Sequence, residues 1–288
     1  MTTRVTTVDV GGLDEVVGVL REWQIEGAPM QLHPGDIGWF RRFGADAAAK
    51  ALRTWRRDGR IVALGLLDGT DLLRLTTAPD LRRDDELASR IVEDVDDPGR
   101  GVLGKGRVSV EAPADALVRD TLAEAGWSVG EPWSPFRRKL AEPVPDPALR
   151  VEVIGPDRAE QRAAVQRASF DGSTFTADLW KTMADGPQYA DARCLIGYDS
   201  EDAAVAAVTV WSAGPARPGL IEPLGVHRDH RGHGHGRAIT LAAAIALRDL
   251  GSSSAVVCTP TANLGGVATY RSAGFELLPD QTDLTRDA

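Results

Sequence analysis

The sequence predicts an α/β chain built from two related halves joined by a short spacer. Strand-like and helix-like patterns alternate along its 288 residues. A proline-rich stretch interrupts them near the middle, and segments on its two sides align at an almost constant offset. Because distant segments rarely share one offset by chance, we interpret the halves as an internal duplication.

The composition is that of an ordinary folded protein. The chain is 43% hydrophobic and 26% charged, and it is long enough for two domains of typical size. No apolar run approaches the ~20 residues that span a bilayer, and the first residues lack the apolar segment of a signal peptide. Two cysteines do not indicate a disulfide framework, so a cytoplasmic protein without a membrane partner is expected. The net charge of −9 argues against nucleic-acid binding and suits a small, cationic partner.

In the first half, apolar spacing predicts each element in turn. Residues 4–10 are expected to form a strand and Leu13–Trp23 a helix. The stretch 24–45, with several prolines and glycines, should hold a loop and a short helix. Three strands follow across the turn pairs Asp58-Gly59 and Asp68-Gly69. The remaining expected elements are a helix at 84–95, a strand at 107–110, a helix at 114–126 and a strand at 133–140.

A spacer separates the halves. The segment AEPVPDPAL, residues 141–149, has prolines at alternate positions 143, 145 and 147, a pattern that favours an extended, semi-rigid conformation. We therefore expect one domain at 1–140 and a second at 150–288.

The second half repeats the order of the first. The expected elements are a strand at 151–154, helices at 157–170 and 176–183, a hairpin of 194–198 with 204–212, a strand at Leu220, a long helix, a strand at 255–258, a helix at 263–273 and a strand from Phe275. Thr77 aligns with Val226 and Leu122 with Tyr270, at offsets of 149 and 148 residues.

A glycine-rich loop lies between the strand at Leu220 and the long helix, which should run for about five turns. Arg231, Gly234 and Gly236 give the pattern R-x-x-G-x-G. Glycines let a ligand approach the backbone and tolerate positive φ, and the free amides of the helix attract an anion. The spacing is not that of a Rossmann dinucleotide site, and the lysine of a P-loop is missing.

This loop resembles motif A of the GNAT acetyltransferases, in which R/Q-x-x-G-x-G/A holds the pyrophosphate of acetyl-CoA. Downstream, Asn263, Tyr270, Gly274 and Phe275 resemble the family pattern N-x-x-A-x-x-x-Y-x-x-x-G-F, with Gly266 where alanine is usual. The resemblance implies two tandem GNAT-type domains, each a mixed, largely antiparallel sheet flanked by helices. It also implies an N-acetyltransferase that takes acetyl-CoA as its acyl donor.

The resemblance further implies where acetyl-CoA binds. Loop amides would hold the pyrophosphate, and backbone groups of residues 224–226 would pair with the pantetheine and polarise the thioester carbonyl. The expected contact positions are Leu224, Gly225, Val226, Arg231, Gly232, His233, Gly234, His235, Gly236, Arg237 and Asn263. Asn263 can equally be the N-cap of its helix.

Two residues are candidates for the chemistry. Pro223 and Gly225 disfavour a regular ladder, so their strand should part from its neighbour, where the family places the pantetheine. Glu222 in that strand could take a proton from an ammonium acceptor, or it could be a sheet-edge carboxylate paired with arginine. Tyr270 stands where the family has a tyrosine near the coenzyme sulfur. It could protonate the leaving thiolate, or it could be a core aromatic beside Phe275.

The first half lacks the residues that the cofactor needs. Asp85 and Leu87 stand in place of Gly234 and Gly236, and Leu122 replaces the tyrosine. We interpret this half as a degenerate GNAT domain that supports the structure or shapes the acceptor site. An unrelated α/β domain is the alternative.

Neither the histidines nor the cysteines predict another site. His227, His230, His233 and His235 crowd into the loop, but they lack the helical pairing and carboxylate spacing of a metal site. Cys258 lies in an apolar strand, so a buried structural thiol is expected. Direct attack by the acceptor needs no acyl-enzyme.

The expected acceptor is the primary amine of a small molecule. The tandem arrangement resembles that of the mycothiol synthases, but no residue identifies a mycothiol precursor, and an antibiotic- or metabolite-modifying enzyme fits equally well. A non-catalytic acyl-CoA-binding sensor or interaction protein is the alternative class. A monomer or a homodimer is expected.

Overall fold

The computed structural model describes residues 2–287. Residues 1 and 288, which the sequence analysis took as the outer limits of the two domains, lie outside the described residues. Both halves contain strands and helices in nearly the same order. The first half contains β1 Arg4–Thr7, α1 Leu13–Trp23, α2 Pro34–Phe40, α3 Ala45–Ala51, β2 Leu52–Arg57, β3 Arg60–Leu67, β4 Leu72–Thr77, α4 Asp85–Asp96, β5 Val108–Glu111, α5 Leu117–Glu124 and β6 Ser128–Lys139. The second half contains β7 Arg150–Val153, α6 Ala159–Ser169, α7 Ala177–Ala184, β8 Ala192–Tyr198, β9 Ala204–Trp211, β10 Gly219–Val226, α8 His235–Asp249, β11 Ser254–Pro260, α9 Leu264–Ser272, β12 Glu276–Leu277 and β13 Gln281–Arg286.

The described strands form one continuous sheet of 13 strands. Its order is β1-β2-β3-β4-β5-β13-β6-β11-β10-β9-β8-β7, and β12 lies beside β6. The pairs β4/β5 and β10/β11 are parallel, and the other described pairs are antiparallel. The prediction of a mixed, largely antiparallel architecture flanked by helices is therefore confirmed, with the two expected sheets merged into one.

The two halves exchange their last strands. Strand β6 of the first half pairs with β11, and β13 of the second half pairs with β5. Each core consequently contains a side chain from the other half. Leu284 packs in the cluster of β5, α4 and α5, whereas Phe136 packs in that of β11, α8 and α9. The exchange was not predicted from the sequence.

Helices cover both faces of the sheet in each half. In the first half one apolar cluster lies under α4 and α5 and another under α1 to α3. In the second half α8 and α9 cover one face, and α6 and α7 the other. Strands β3 and β9 are buried on both faces, which explains their nearly continuous apolar sequences IVALGLL and AVAAVTVW.

Most element bounds follow the sequence patterns. The turn between β2 and β3 has positive φ at Asp58 and Gly59, as the Asp-Gly pair predicts. The alanine-rich helix Ala45–Ala51 was missed, although alanine and lysine are strong helix formers. Helix α8 has 15 residues, close to four turns and not five, because it begins at the end of the glycine loop.

Residues 141–149 contain no helix or strand. No helix within residues 2–287 is long and apolar enough to cross a membrane.

Candidate active site

The strand β10 parts from β11 after two residue pairs. The parallel register joins Gly219 with Ala255 and Leu220 with Val256, and no further pair follows between these strands. On its other side, β10 shifts register against β9 between Ile221 and Leu224. Proline at position 223 offers no backbone N–H to a ladder, so the irregularity lies where the sequence indicates it.

Residues 224–226 keep their pairing with β9 on one edge only. Their partners there are Val208, Ala207 and Ala206. The opposite edge faces the gap between β10 and β11. Peptide groups along that edge are available to an extended ligand, as an added strand would use them.

A cavity of about 520 Å³ lies at this gap. Both halves line it. The second half contributes Glu222, Leu224, Cys258, Asn263 and Tyr270, and the first half contributes Asp68, Leu72, Arg74 and Glu111. Asp283, from the exchanged strand β13, adds another carboxyl group to the lining. Because the site is built from both halves, its first-half residues could not be identified from a local motif.

Glu222 is a partly buried carboxyl with an unusually high proton affinity. Burial raises its pKa to about 8, the negative charge of Asp36 adds to the rise, and the positive charge of Arg74 opposes it. A carboxylate with such a pKa is a stronger base than a solvent-exposed one.

Arg74 holds two carboxylates beside Glu222. Its Nη1 lies 2.7 Å from Oδ1 of Asp36, and its Nε lies 2.8 Å from Oε2 of Glu111. Burial opposes the charge of Arg74, but the three neighbouring carboxyls outweigh burial and raise its pKa. Sequence analysis missed Arg74 and Asp36. The one local signal is an arginine inside the otherwise uncharged strand LLRLTT.

Tyr270 is a core aromatic whose side chain also borders the cavity. Its ring packs 5.4 Å from that of Phe136 and 6.3 Å from that of Phe275, measured between centroids. Burial raises the pKa of this phenol, as do the neighbouring Cys258 and Glu222. The group therefore stays protonated and can donate.

The glycine loop ends on an uncapped helix. Gly232 and Gly234 have φ of +84° and +82°, in the left-handed region that glycine adopts without strain. Gly234 is the N-cap of α8, where no side chain bonds to the free amides and no acidic residue occupies the first turn. Gly236 has a different reason: a Cβ there would lie 3.1 Å from Oγ1 of Thr269, so it allows α8 to pack against α9.

The corresponding position in the first half is filled by protein. Asp84 is the N-cap of α4 and accepts a hydrogen bond from the amide of Leu87 at 2.7 Å. Arg57 neutralises this carboxylate at 2.8 Å. Arg82, which aligns with Arg231, is buried and donates to Asp115 and Gln31. An intramolecular carboxylate thus occupies the place that an anionic ligand would need.

Two arginines in and beside the glycine loop donate hydrogen bonds to backbone carbonyls. Arg231 donates to the carbonyl of Ser169 at 2.7 Å, and Arg237 donates to that of Ser272 at 3.0 Å. Asn263 caps α9 by accepting from the amide of Gly266 at 3.1 Å. The cap does not exclude a coenzyme contact, since Asn263 also borders the cavity.

The four loop histidines form two pairs. The rings of His227 and His230 lie 5.2 Å apart, and those of His233 and His235 lie 6.0 Å apart. Burial and the neighbouring His233 lower the pKa of His235. Within residues 2–287, no group of three or more His, Cys, Asp or Glu side chains is arranged to hold a metal ion.

Cys258 differs from its expected place. It is partly exposed and borders the cavity, whereas a buried thiol was expected. Burial raises its pKa to about 12, and the charge of Glu111 adds to this, so the group is a thiol and not a thiolate. A neutral thiol is a poor nucleophile.

Comparison with known proteins relates this architecture to one family. Residues 165–275 match the model of the acetyltransferase (GNAT) family. No curated protein sequence matches the chain significantly.

Solved structures share the fold over both halves. A GCN5-related N-acetyltransferase from Sphaerobacter thermophilus is 16% identical, covers 99% of this chain and 95% of its own, and has a TM-score of 0.62. A tandem GNAT protein from the clavulanic acid biosynthesis pathway is 18% identical over 99% and 98%, with a TM-score of 0.60. A GNAT acetyltransferase from Colwellia psychrerythraea is 13% identical over 100% of both chains, with a TM-score of 0.61.

Proposed function

We propose that the chain is a GNAT-family acyltransferase, since the family model matches residues 165–275, and that it acetylates the primary amine of a small molecule with acetyl-CoA as donor. The observation that carries this proposal is the cavity where β10 and β11 part, because a strong base, Glu222, and a protonated phenol, Tyr270, both border it. A base for the amine and an acid for the thiolate are the two groups that direct acyl transfer needs.

The second half offers the surfaces that acetyl-CoA requires. The amides at the start of α8 would bind the pyrophosphate, since no side chain caps them. The free edge of residues 224–226 would bind the pantetheine and bring the thioester to the cavity. When bound, acetyl-CoA supplies the activated acetyl group. The first half has its own carboxylate at the equivalent helix terminus, so one coenzyme per chain is expected.

The cavity favours a cationic acceptor. Carboxyl groups of Asp68, Glu111, Glu222 and Asp283 line it, and Arg74 is its one lining cation among the described residues. Burial raises the pKa of Asp283 to about 6, so this carboxyl is mostly ionised at neutral pH. An ammonium group is attracted to such a site.

The proposed proton path uses both candidate residues. Glu222 takes one proton from the acceptor ammonium, which leaves a neutral amine to attack the thioester carbon. As the nitrogen–carbon bond forms and the carbon–sulfur bond breaks, Tyr270 gives its proton to the sulfur. The second proton leaving the nitrogen restores Tyr270, and the proton on Glu222 returns to solvent. The first half is proposed as a domain, residues 1–140, that walls the acceptor side, with 141–149 as the linker to 150–288.

The first test is release of coenzyme A from acetyl-CoA with a panel of small primary amines, diamines and amino sugars. We expect amine-dependent thiol release matched by a mass gain of one acetyl group on the amine. Tight coenzyme binding without release for any amine, at any pH, would instead support the non-catalytic sensor.

The second test is the pH dependence of Glu222→Gln. The wild-type base is ionised above its pKa of about 8, whereas a primary alkylamine is protonated up to about pH 10. In this window we expect the variant to lose about 100-fold in kcat/KM. The difference in kcat/KM between wild type and variant should decrease at higher pH, where free amine is abundant. It should also decrease at lower pH, where wild-type Glu222 is itself protonated. A constant ratio across this range would remove Glu222 as the base.

A further inference from the structure

Phe170 borders the cavity from the face of the sheet opposite to Tyr270. It directly follows α6, which covers one face in the second half, whereas Tyr270 lies on α9, which covers the other. Both residues line the cavity. A ligand in the gap between β10 and β11 would therefore have a phenol on one side and a phenyl ring on the other.

The ring of Phe170 lies against the bare backbone of β10. A Cβ at Gly225 would lie 2.8 Å from Cε2 of Phe170, closer than side chains tolerate. Glycine at this position, which the sequence analysis expected to contact acetyl-CoA, therefore also makes room for Phe170. The contact fixes where the ring stands relative to the free edge of residues 224–226.

Two arginines in and beside the glycine loop hold the segment that carries Phe170. Arg228 donates from Nε to the carbonyl of Ala168 at 3.0 Å, and Arg231 donates from Nη2 to the carbonyl of Ser169 at 2.7 Å. These carbonyls belong to the last turn of α6, where the helix itself supplies no donor. The position of Phe170 thus depends on the same loop that is proposed to bind acetyl-CoA.

Trp133 borders the same cavity from beyond β11. It belongs to β6 of the first half and pairs with Pro260 of β11. Its side chain is 38% exposed, and that of Phe170 is 39% exposed. Among the large apolar side chains that are exposed within residues 2–287, these are the two that line the cavity. Such surface is stabilised when an apolar ligand removes it from water.

We propose that the acceptor is an amine attached to a flat apolar group, and that Phe170 and Trp133 are the specificity-determining residues that contact this group. The inference rests on the proposed function, since it concerns the acceptor of that reaction. The carboxyl groups of the cavity attract the ammonium end, and the two rings cover the apolar end. A diamine without such a group would leave both rings in contact with water. Arg228 is a positioning residue, because it acts on the acceptor through Phe170.

The test compares two acceptors on one protein. 2-Phenylethylamine carries a phenyl ring, and ethylamine is the same amine without it. We expect Phe170→Ala to lower the ratio of kcat/KM for 2-phenylethylamine to that for ethylamine by about tenfold, because a contact between aromatic rings is lost. Differences in basicity between the amines and any loss of folded protein cancel when the ratios of variant and wild type are compared.

Phe43→Ala is the matched control, since Phe43 is an exposed phenylalanine that does not line the cavity. It should leave the ratio unchanged. A ratio that Phe170→Ala does not change, or changes no more than Phe43→Ala does, would overturn the inference. Arg228→Gln should lower the ratio by a smaller factor than Phe170→Ala, and Arg228→Lys, which keeps a donor, by less still. An unchanged ratio in Arg228→Gln would remove Arg228 as a positioning residue.

Binding separates this inference from the proposed function. Calorimetry of 2-phenylethylamine with the complex of the protein and coenzyme A requires no turnover. Tighter binding to the wild type than to Phe170→Ala and Trp133→Ala, with neither amine acetylated, would support the aromatic site and contradict the proposed function. Acetylation of both amines with the same ratio in all these proteins would support the proposed function and contradict the aromatic site.

Discussion

Tyr270 places a polar group at the end of an apolar ring. The ring lies between Phe136 and Phe275, so replacing it with phenylalanine preserves the packing and removes the hydroxyl alone. In the proposed mechanism the hydroxyl serves departure of the thiolate and not docking, so we expect Tyr270→Phe to lower kcat by about 100-fold with little change in the KM for acetyl-CoA. Steady-state kinetics checks this. An unchanged kcat, with the chemical step shown to be rate-limiting, would return Tyr270 to a purely structural role.

At the scale of single residues, the sequence predicted candidates that stand in or next to a recognisable pattern. Glu222 lies four residues before the end of β10, and Tyr270 lies inside the second motif. Arg74 stands in no motif, and tertiary packing brings it to the cavity that Glu222 also lines, paired with Asp36 of α2. Such contacts are set by tertiary structure, so spacing along one chain does not predict them.

Helices α4 and α8 occupy equivalent places in the two halves, but only α4 has an N-terminus that is capped by a side chain. Asp84 caps α4, whereas Gly234 leaves the amides of α8 free. Comparing the variants Gly234→Asp and Gly234→Asn separates the effect of a negative charge at this position from that of a larger side chain. Both residues tolerate the left-handed conformation, and a Cβ there has no neighbour within 4 Å.

We expect Gly234→Asp to weaken coenzyme A binding about tenfold more than Gly234→Asn at low salt, because its carboxylate repels the pyrophosphate. The difference in affinity between the two variants should decrease as salt screens the repulsion. Calorimetry in a salt series measures both effects, and it should give one site per chain. Equal affinities for the two variants would place the pyrophosphate elsewhere.

Helix α2 begins at a histidine that must stay neutral. His33 accepts from the amide of Gly35 at 2.9 Å through Nδ1, so its proton is on Nε2, which lies 3.1 Å from the carbonyl of Pro218. Burial lowers its pKa to about 4, and Arg74 and Arg21 add to this against the opposing charge of Asp36. The unfolded chain binds this proton near pH 6.5. Stability from the neutral ring is therefore complete above pH 6.5 and is lost as pH falls towards 4.

We expect acidification from pH 7 to pH 4 to cost the wild type about 3 kcal/mol more than His33→Asn, in which the asparagine can still cap α2. Denaturant unfolding at several pH values measures the difference, and groups common to both proteins cancel. Parallel stability curves for the two proteins would show that His33 is protonated in the folded state without cost.

The whole molecule is organised by the exchange of β6 and β13. The internal repeat predicted the order of elements in each half, and the structure has that order. It did not predict which half each last strand would join. Both strands follow equivalent helices, so the order of elements alone allows either strand to complete either half of the sheet. The choice depends on chain connection and packing across the junction, which periodicity does not record.

The exchange predicts that the covalent linker is dispensable once the protein has folded. A protease site inserted between Pro145 and Asp146 lies in an exposed segment without helix or strand. After cleavage, each fragment still contributes its last strand to the sheet of the other, and Leu284 and Phe136 remain buried in the opposite cores. We expect the cut protein to elute at the size of the intact chain and to keep its acetyl-transfer rate. The Tm should fall modestly, because unfolding now also releases the fragments from each other.

Leu284→Ala in the same cut protein supplies the contrast. It removes apolar contacts from the core of the first half, a change that typically costs about 2–5 kcal/mol, and the residue lies outside the glycine loop. Because β13 is then held less firmly, the cut fragments should separate at a lower denaturant concentration than those of the cut parent. Size-exclusion chromatography across a urea series measures both separations. Fragments of the parent that separate without denaturant would show that the exchanged strands do not hold the halves together.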